Sequence, residues 1–303
     1  FRPPIEAVTR DGKLFAIPMR HATAGLHYNA EFFQERGLSG PPRTMEELFE
    51  YARKLTYTRP NGQRVVGFAI PNNYSNVVSV ARAWTGDFIS DDYRAVAHEA
   101  PMVKTITALR ELVIAGAFPR DFPGIMQEEL NVWMQQGRAA MTITSMSRNA
   151  QFNDPQRSRF PGKFVTTVVP VAEEMKGKLD VAPVSTEFWS FIIPANARRK
   201  DVSWSLIRAM SSRENTRRAA LNGNGPMRNS LYDDPAYTGT LPYAEAERRT
   251  LKVARPSMPA FDEAARATDV IREQYEAAML GFKPVQVAMD DLSRRLTELL
   301  PKS

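Results

Sequence analysis

Apolar residues in this chain recur at two spacings. Around residues 13–18, 26–28, 65–70, 139–143, 164–169 and 189–193 they run together in short blocks bounded by Gly, Pro or Asn-Gly, which predicts buried strands. Elsewhere they fall three and four apart. Met45, Leu48, Phe49, Ala52 and Leu55 form one stripe behind Thr44, with Glu47 three residues on, so a capping box is expected to open that helix. Val103, Ile106, Leu109 and Val113 predict a helix over residues 102–115, ended by Gly116. Further helices are predicted over 30–36, 128–136, 202–210 and 214–221. Two long ones close the chain, with inner faces marked by Phe261, Ala265, Thr268, Ile271 and Tyr275 and by Val285, Ala288, Leu292, Leu296 and Leu299.

Strands alternating with helices predict an α/β protein with mainly parallel sheets. Residues 222–242 are rich in Gly, Pro, Asn and Asp and read as one long loop, of the kind that often carries function. A length of 303 residues allows two domains or one large one. There is neither an internal repeat nor an apolar run long enough to cross a membrane. The opening Phe1-Arg2-Pro3-Pro4 lacks the basic and apolar regions of a secretory signal.

Composition removes several chemistries. The chain has no cysteine, which excludes disulfides, thiolate metal sites and thiol nucleophiles. Its net charge of +6 raises nucleic acid as a partner. Its basic residues, however, are scattered pairs such as Arg217-Arg218 and Arg248-Arg249 among acidic ones, so solvated helix faces are expected and no nucleic-acid partner. No phosphate-binding glycine loop or nucleophile elbow is present. With three histidines, none spaced as a zinc pair, no metal or cofactor is expected. The acidic pairs Asp91-Asp92, Glu128-Glu129, Asp233-Asp234 and Asp290-Asp291 fall at helix starts or in polar turns, where capping accounts for them. Together these absences speak against most common enzyme classes.

Five motifs in order sharpen this. They are Asp11-Gly12-Lys13-Leu14-Phe15-Ala16-Ile17-Pro18 with Leu26-His27-Tyr28-Asn29; Pro41-Pro42-Arg43-Thr44-Met45-Glu46-Glu47-Leu48; Gly137-Arg138-Ala139-Ala140-Met141; Phe191-Ile192-Ile193-Pro194; and Pro226-Met227-Arg228-Asn229-Ser230. Together with the final helix pair around Gly281, they resemble the family 1 extracellular solute-binding proteins of ABC importers, the maltose-binding-protein-like group.

The resemblance implies a type II periplasmic-binding-protein-like fold: two α/β lobes joined by crossing strands, with the first lobe incomplete because the chain starts just ahead of the first motif. Lobe one is expected over residues 1–20 and 190–252, and lobe two over 24–186 and 256–303. Hinge crossings are expected near 20–25, 184–190 and 251–256. The implied function is capture of a sugar or polyol between the lobes and delivery to ABC permease subunits by a monomer in the periplasm, or tethered outside a Gram-positive cell. A ligand-presenting signalling partner and a carbohydrate-active enzyme remain the alternatives.

A sugar offers hydroxyl edges and C–H faces, so its site needs planar polar groups and an aromatic ring. Trp189, on the second crossing, either stacks on ligand or fills the core; Trp84, Trp133 and Trp204 are expected in the core. Arg20 and His21 lie at the first crossing. Asn73, Tyr74 and Asn76 follow one strand end, and Ser145, Ser147 and Arg148 another, where ligands of α/β sheets bind. Glu187 either accepts two hydroxyls or pairs with an arginine. Arg228 is expected to aim its guanidinium fork at ligand from the fifth motif, or else to brace its loop.

Overall fold

The computed structural model describes residue 5 and residues 7–301. The Phe1-Arg2-Pro3-Pro4 start, residue 6 and residues 302 and 303 of the expected lobes lie outside the described residues. In chain order the elements are β1 (Thr9–Arg10), β2 (Lys13–Leu14), β3 (Ile17–Asn29), α1 (Ala30–Glu35), α2 (Met45–Lys54), β4 (Tyr57–Thr58), β5 (Arg64–Phe68), α3 (Tyr74–Ala81), α4 (Ala100–Ile114) and α5 (Gln127–Gln135). There follow β6 (Ala139–Ser145), α6 (Asn149–Phe152), β7 (Phe164–Thr167), β8 (Thr186–Phe191), α7 (Lys200–Met210), α8 (Arg213–Leu221), β9 (Gly225–Pro226), α9 (Pro235–Thr240), α10 (Ala244–Leu251), α11 (Ala264–Leu280) and α12 (Val285–Leu299).

Strand β3 organises the molecule. The sequence predicts two short strands here, at 13–18 and 26–28. Instead β1 and β2 make a small hairpin, and β3 then runs unbroken for 13 residues. Its first half pairs with β8 and β9, and its second half with β6 and β7. All four pairings are antiparallel, and among the strands of the described residues only β5 and β6 lie parallel. The expected mainly parallel sheet is therefore wrong. Alternation of strands and helices reports element order, but strand direction is decided by whichever strand takes the centre, and β3 runs against its neighbours.

Two apolar clusters form on this frame. The larger joins the second half of β3 and strands β5 to β7 to helices α1 to α5, α11 and α12. The smaller gathers Ala220, Leu231, Tyr232, Tyr237, Ala244 and Leu251, around α8 to α10. The predicted long loop at 222–242 contains β9 and α9, so Gly and Pro there punctuate short elements. Trp84 and Trp133 are buried, as expected, but Trp204 on α7 is 47% exposed. Only Ile207 of that helix is buried, because the described residues put no layer over its apolar side.

Local signals explain the helix starts. Thr44 Oγ1 accepts the Glu47 amide at 3.1 Å, half of the predicted box. The other half shifts by one residue, since Glu47 accepts from the Arg43 amide. Against α2 lies Gly67 of β5, where a Cβ would fall 1.8 Å from the Ala52 carbonyl oxygen, so that helix and strand meet backbone to backbone.

Candidate functional site

In a strand, successive side chains point to opposite faces. On the first half of β3 this splits Arg20, Ala22 and Ala24 from His21 and Thr23. Register places Trp189 of β8 opposite Arg20, and Glu187 opposite Ala22. These residues line one open cleft of about 570 Å³, within the range of small-molecule sites.

The facing wall comes from the larger body. Strands β5 and β6 are parallel, so their carboxyl ends share an edge and the segments after them reach the same cleft. After β5 come Asn73, Ser75, Asn76 and Ser79, at the start of α3 and along it. At the end of β6 come Thr144, Ser145, Ser147 and Arg148.

This wall is held by its own hydrogen bonds. Asn73 caps α3 by accepting the Ser75 amide at 3.0 Å. Ser185 donates its hydroxyl to the Ser75 carbonyl at 2.8 Å, and its amide to Ser79 Oγ at 3.1 Å. Thr144 donates to the Gln127 side chain at 2.7 Å, and Ser145 and Ser147 share a bond of 2.9 Å. Arg148 reaches Glu128 at 3.3 Å and donates to Gln151 at 3.0 Å. The Arg20 guanidinium lies 3.9 Å from the Trp189 ring centroid, a cation–π contact. Trp189 is 40% exposed, so of its two expected roles the core is not where it sits. Among the described residues, the side chains of Glu187 and Asn76 have no hydrogen-bond partner.

Three expected residues lie elsewhere. His21 is buried on the opposite face of β3, 3.1 Å from the Tyr232 hydroxyl and 3.1 Å from Thr23 Oγ1. Burial lowers its pKa, against the pull of the Glu247 carboxylate. Tyr74 turns away from the cleft, and its hydroxyl accepts from Ser257 at 3.2 Å. Arg228 donates to Thr216 Oγ1 at 3.2 Å and to the Ser211 carbonyl at 2.6 Å, and so braces its loop outside the cleft. The reason is local: the end of α7 and the first turns of α8 supply both acceptors beside that loop.

Residues not expected from the sequence complete the lining: Ser75, Ser79, Gln127, Thr144, Gln151, Ser185 and Asn222. Strand ends were a usable signal for Thr144, and alternation for Ser185. Gln127 and Gln151 had none, because they enter from α5 and α6, the helices on either side of β6, and neither a strand end nor alternation marks them.

Below the cleft floor, His27 is wholly buried. Its Nε2 donates to the Ser145 carbonyl at 3.1 Å, and its Nδ1 accepts from Thr166 at 2.6 Å. Burial drives its pKa down to about 4. The expected crossings lie side by side. Ala24 donates its amide to the Ser185 carbonyl at 3.1 Å, and Thr186 donates its amide to the Arg255 carbonyl at 3.1 Å. Among the described residues no cluster of side chains could hold a metal ion, and no helix is long and apolar enough to cross a membrane.

The model of a family described as bacterial extracellular solute-binding protein matches residues 2–245. The chain belongs to that family. Among curated relatives of this solute-binding chain is a probable amino-acid ABC transporter periplasmic-binding protein of Sinorhizobium fredii. It is 22% identical over 297 residues, covering 96% of this chain and 65% of the relative. A probable ABC transporter-binding protein of Deinococcus radiodurans is 24% identical, covering 82% of this chain and 60% of the relative. The chain thus spans less than two thirds of the length of these relatives.

Among solved structures, the maltose-bound MalE3 of T. maritima superposes with a TM-score of 0.86 at 20% identity, covering 99% of this chain and 76% of that one. A solute-binding protein of Agrobacterium vitis S4 with bound D-mannitol gives 0.82 at 17% identity, covering 100% and 78%. The solute-binding chain accordingly has the type II periplasmic-binding-protein fold.

Proposed function

We propose that this chain is the ligand-capturing part of an extracytoplasmic solute-binding subunit of an ABC importer, and that its ligand is a sugar or polyol. The carrying observation is the cleft itself. One wall is a set of hydroxyls and amides held by their own hydrogen bonds, together with the ion-paired Arg148, and the other presents Trp189, under the Arg20 guanidinium, with a carboxylate two residues away on the same face. Neutral hydrogen-bonding groups suit hydroxyls, and a ring suits C–H faces. The maltose in the T. maritima protein and the mannitol in the A. vitis protein support this ligand class.

In this reading residues 20–25, 184–190 and 251–256 form the hinge. Lobe one holds 1–20 and 190–252, and lobe two holds 24–186 and 256–303. The two separate apolar clusters support that division. Ligand touching both walls favours the closed arrangement by the contacts it gains there. A permease then receives it from a monomer in the periplasm or at the cell surface, and no bond is made or broken. Arg20, Asn73, Asn76, Ser145, Ser147, Arg148, Glu187 and Trp189 are the proposed contacts.

A second reading, an amino acid, is favoured by the opposite charges of Arg20 and Glu187 on one face and by the name of the S. fredii relative. A thermal-shift screen of sugars, polyols and amino acids separates the two. A ligand of the native state present at a hundred times its Kd stabilises by about 2.7 kcal/mol, a readable rise in Tm. Trp189→Ala is expected to abolish the rise given by the sugar or polyol. Silence across sugars and polyols refutes the first reading.

A further inference from the structure

We propose that Glu187 sets the charge selectivity of the cleft, so that ligands with no net charge enter and anionic ones are rejected. This rests on the cleft being the ligand site, but not on the ligand being a sugar. The charged side chains lining it are Arg20, Arg148 and Glu187. Both cations are already engaged: Arg148 by Glu128 and Gln151, and Arg20 by the Trp189 ring.

Arg20 sits opposite Trp189, and Glu187 opposite Ala22. The Arg20 and Glu187 side chains are thus diagonal neighbours on one sheet face, on the order of 7–8 Å apart at their bases and within reach of long side chains. Counting Glu128 with Arg148, two positive and two negative groups cancel. Arg228, the cation best suited by sequence to draw an anion, is spent on Thr216 and Ser211 outside the cleft. What faces an incoming ligand without a partner is the Glu187 carboxylate. It accepts from hydroxyls or an ammonium group, and repels a carboxylate or phosphate held beside it.

Matched probes test this: D-glucitol against D-gluconate, and D-galactose against D-galacturonate. Each pair differs only by a CH2OH in place of a carboxylate. Maltose, glucose 6-phosphate and glycine complete the set for calorimetric titration. The wild-type chain is expected to bind the neutral member at least about tenfold more tightly at about 0.01 M salt, where charges are felt over about 30 Å. The ratio narrows at about 0.15 M because salt screens the repulsion, and Glu187→Gln closes most of it at low salt. The salt dependence of the wild type needs no variant to fold.

An anion that binds as tightly as its neutral partner, and loses affinity as salt rises, overturns the inference, since it is then drawn by the arginines. A ratio unchanged in Glu187→Gln does the same. Binding of glycine alone refutes the sugar reading and leaves this one standing. Silence from every probe sinks both.

Discussion

His21 and His27 are six residues apart on one strand, and both are buried for reasons that alternation alone could not give. Near the start of β3 one face is open, so Arg20 and His21 could never both reach the cleft; period two forces a choice, and burial of the smaller cluster made it. Further along both faces are covered, and His27 is enclosed whichever way it points. Its ring stays neutral in the native state. The unfolded chain takes up a proton near pH 6.5, whereas the native chain does so only near 4. Stability from this group is therefore full above about 6.5, declines as pH falls toward 4, and declines no further below. A shift of that size corresponds to about 3 kcal/mol. Denaturant midpoints compared at pH 7 and 4.5 should fall less in His27→Gln than in the wild type; equal falls would refute the assignment.

Among elements, helices were the most legible. The stripe of α2 and its Thr44 cap stand where spacing put them, because a helix end is fixed by groups within four residues. Strands were less legible. The pattern at 13–18 merged β2 with the first two residues of β3, that at 26–28 caught its far end, and both missed the middle, where Arg20, His21 and Thr23 carry no apolar signal. Those polar residues belong to a strand because β8 and β9 supply its ladder partners from far along the chain. Gly67 shows how tightly such partners are set. Gly67→Ala puts a methyl group into the Ala52 backbone, which can yield only if α2 shifts. A loss of about 2–3 kcal/mol is expected, measured as a lower urea midpoint with an unchanged slope.

Across the whole molecule, the buried Arg82 ties the larger body to residues 255 and 256. Arg82 is 1% exposed. It meets the Asp87 carboxylate at 2.8 Å, and donates to the carbonyls of Arg255 at 3.0 Å and Pro256 at 2.7 Å. Arg255 reaches Asp87 in turn at 2.6 Å. Burial pushes the Asp87 carboxyl up, and the two guanidiniums oppose it. Removing Arg82 strands these acceptors. Arg82→Met is expected to cost about 3–5 kcal/mol in thermal or urea unfolding. A cost below about 1 kcal/mol would show that residues 255 and 256 hold their place without it.

The sequence by itself determined most of the long helices, the Thr44 cap, the absence of thiol chemistry and the ordered motifs that point to the solute-binding family. These depend on neighbours a few residues away or on residue identity alone. Tertiary structure decided which strands run against β3, which side of β3 is open, that Arg228 braces a loop, and that Gln127 and Gln151 meet Trp189 across one cleft. The physical reason is the same in each case. A side chain's surroundings are set by segments that lie anywhere from a dozen to well over a hundred residues away, and no local spacing records which of them will fold against it.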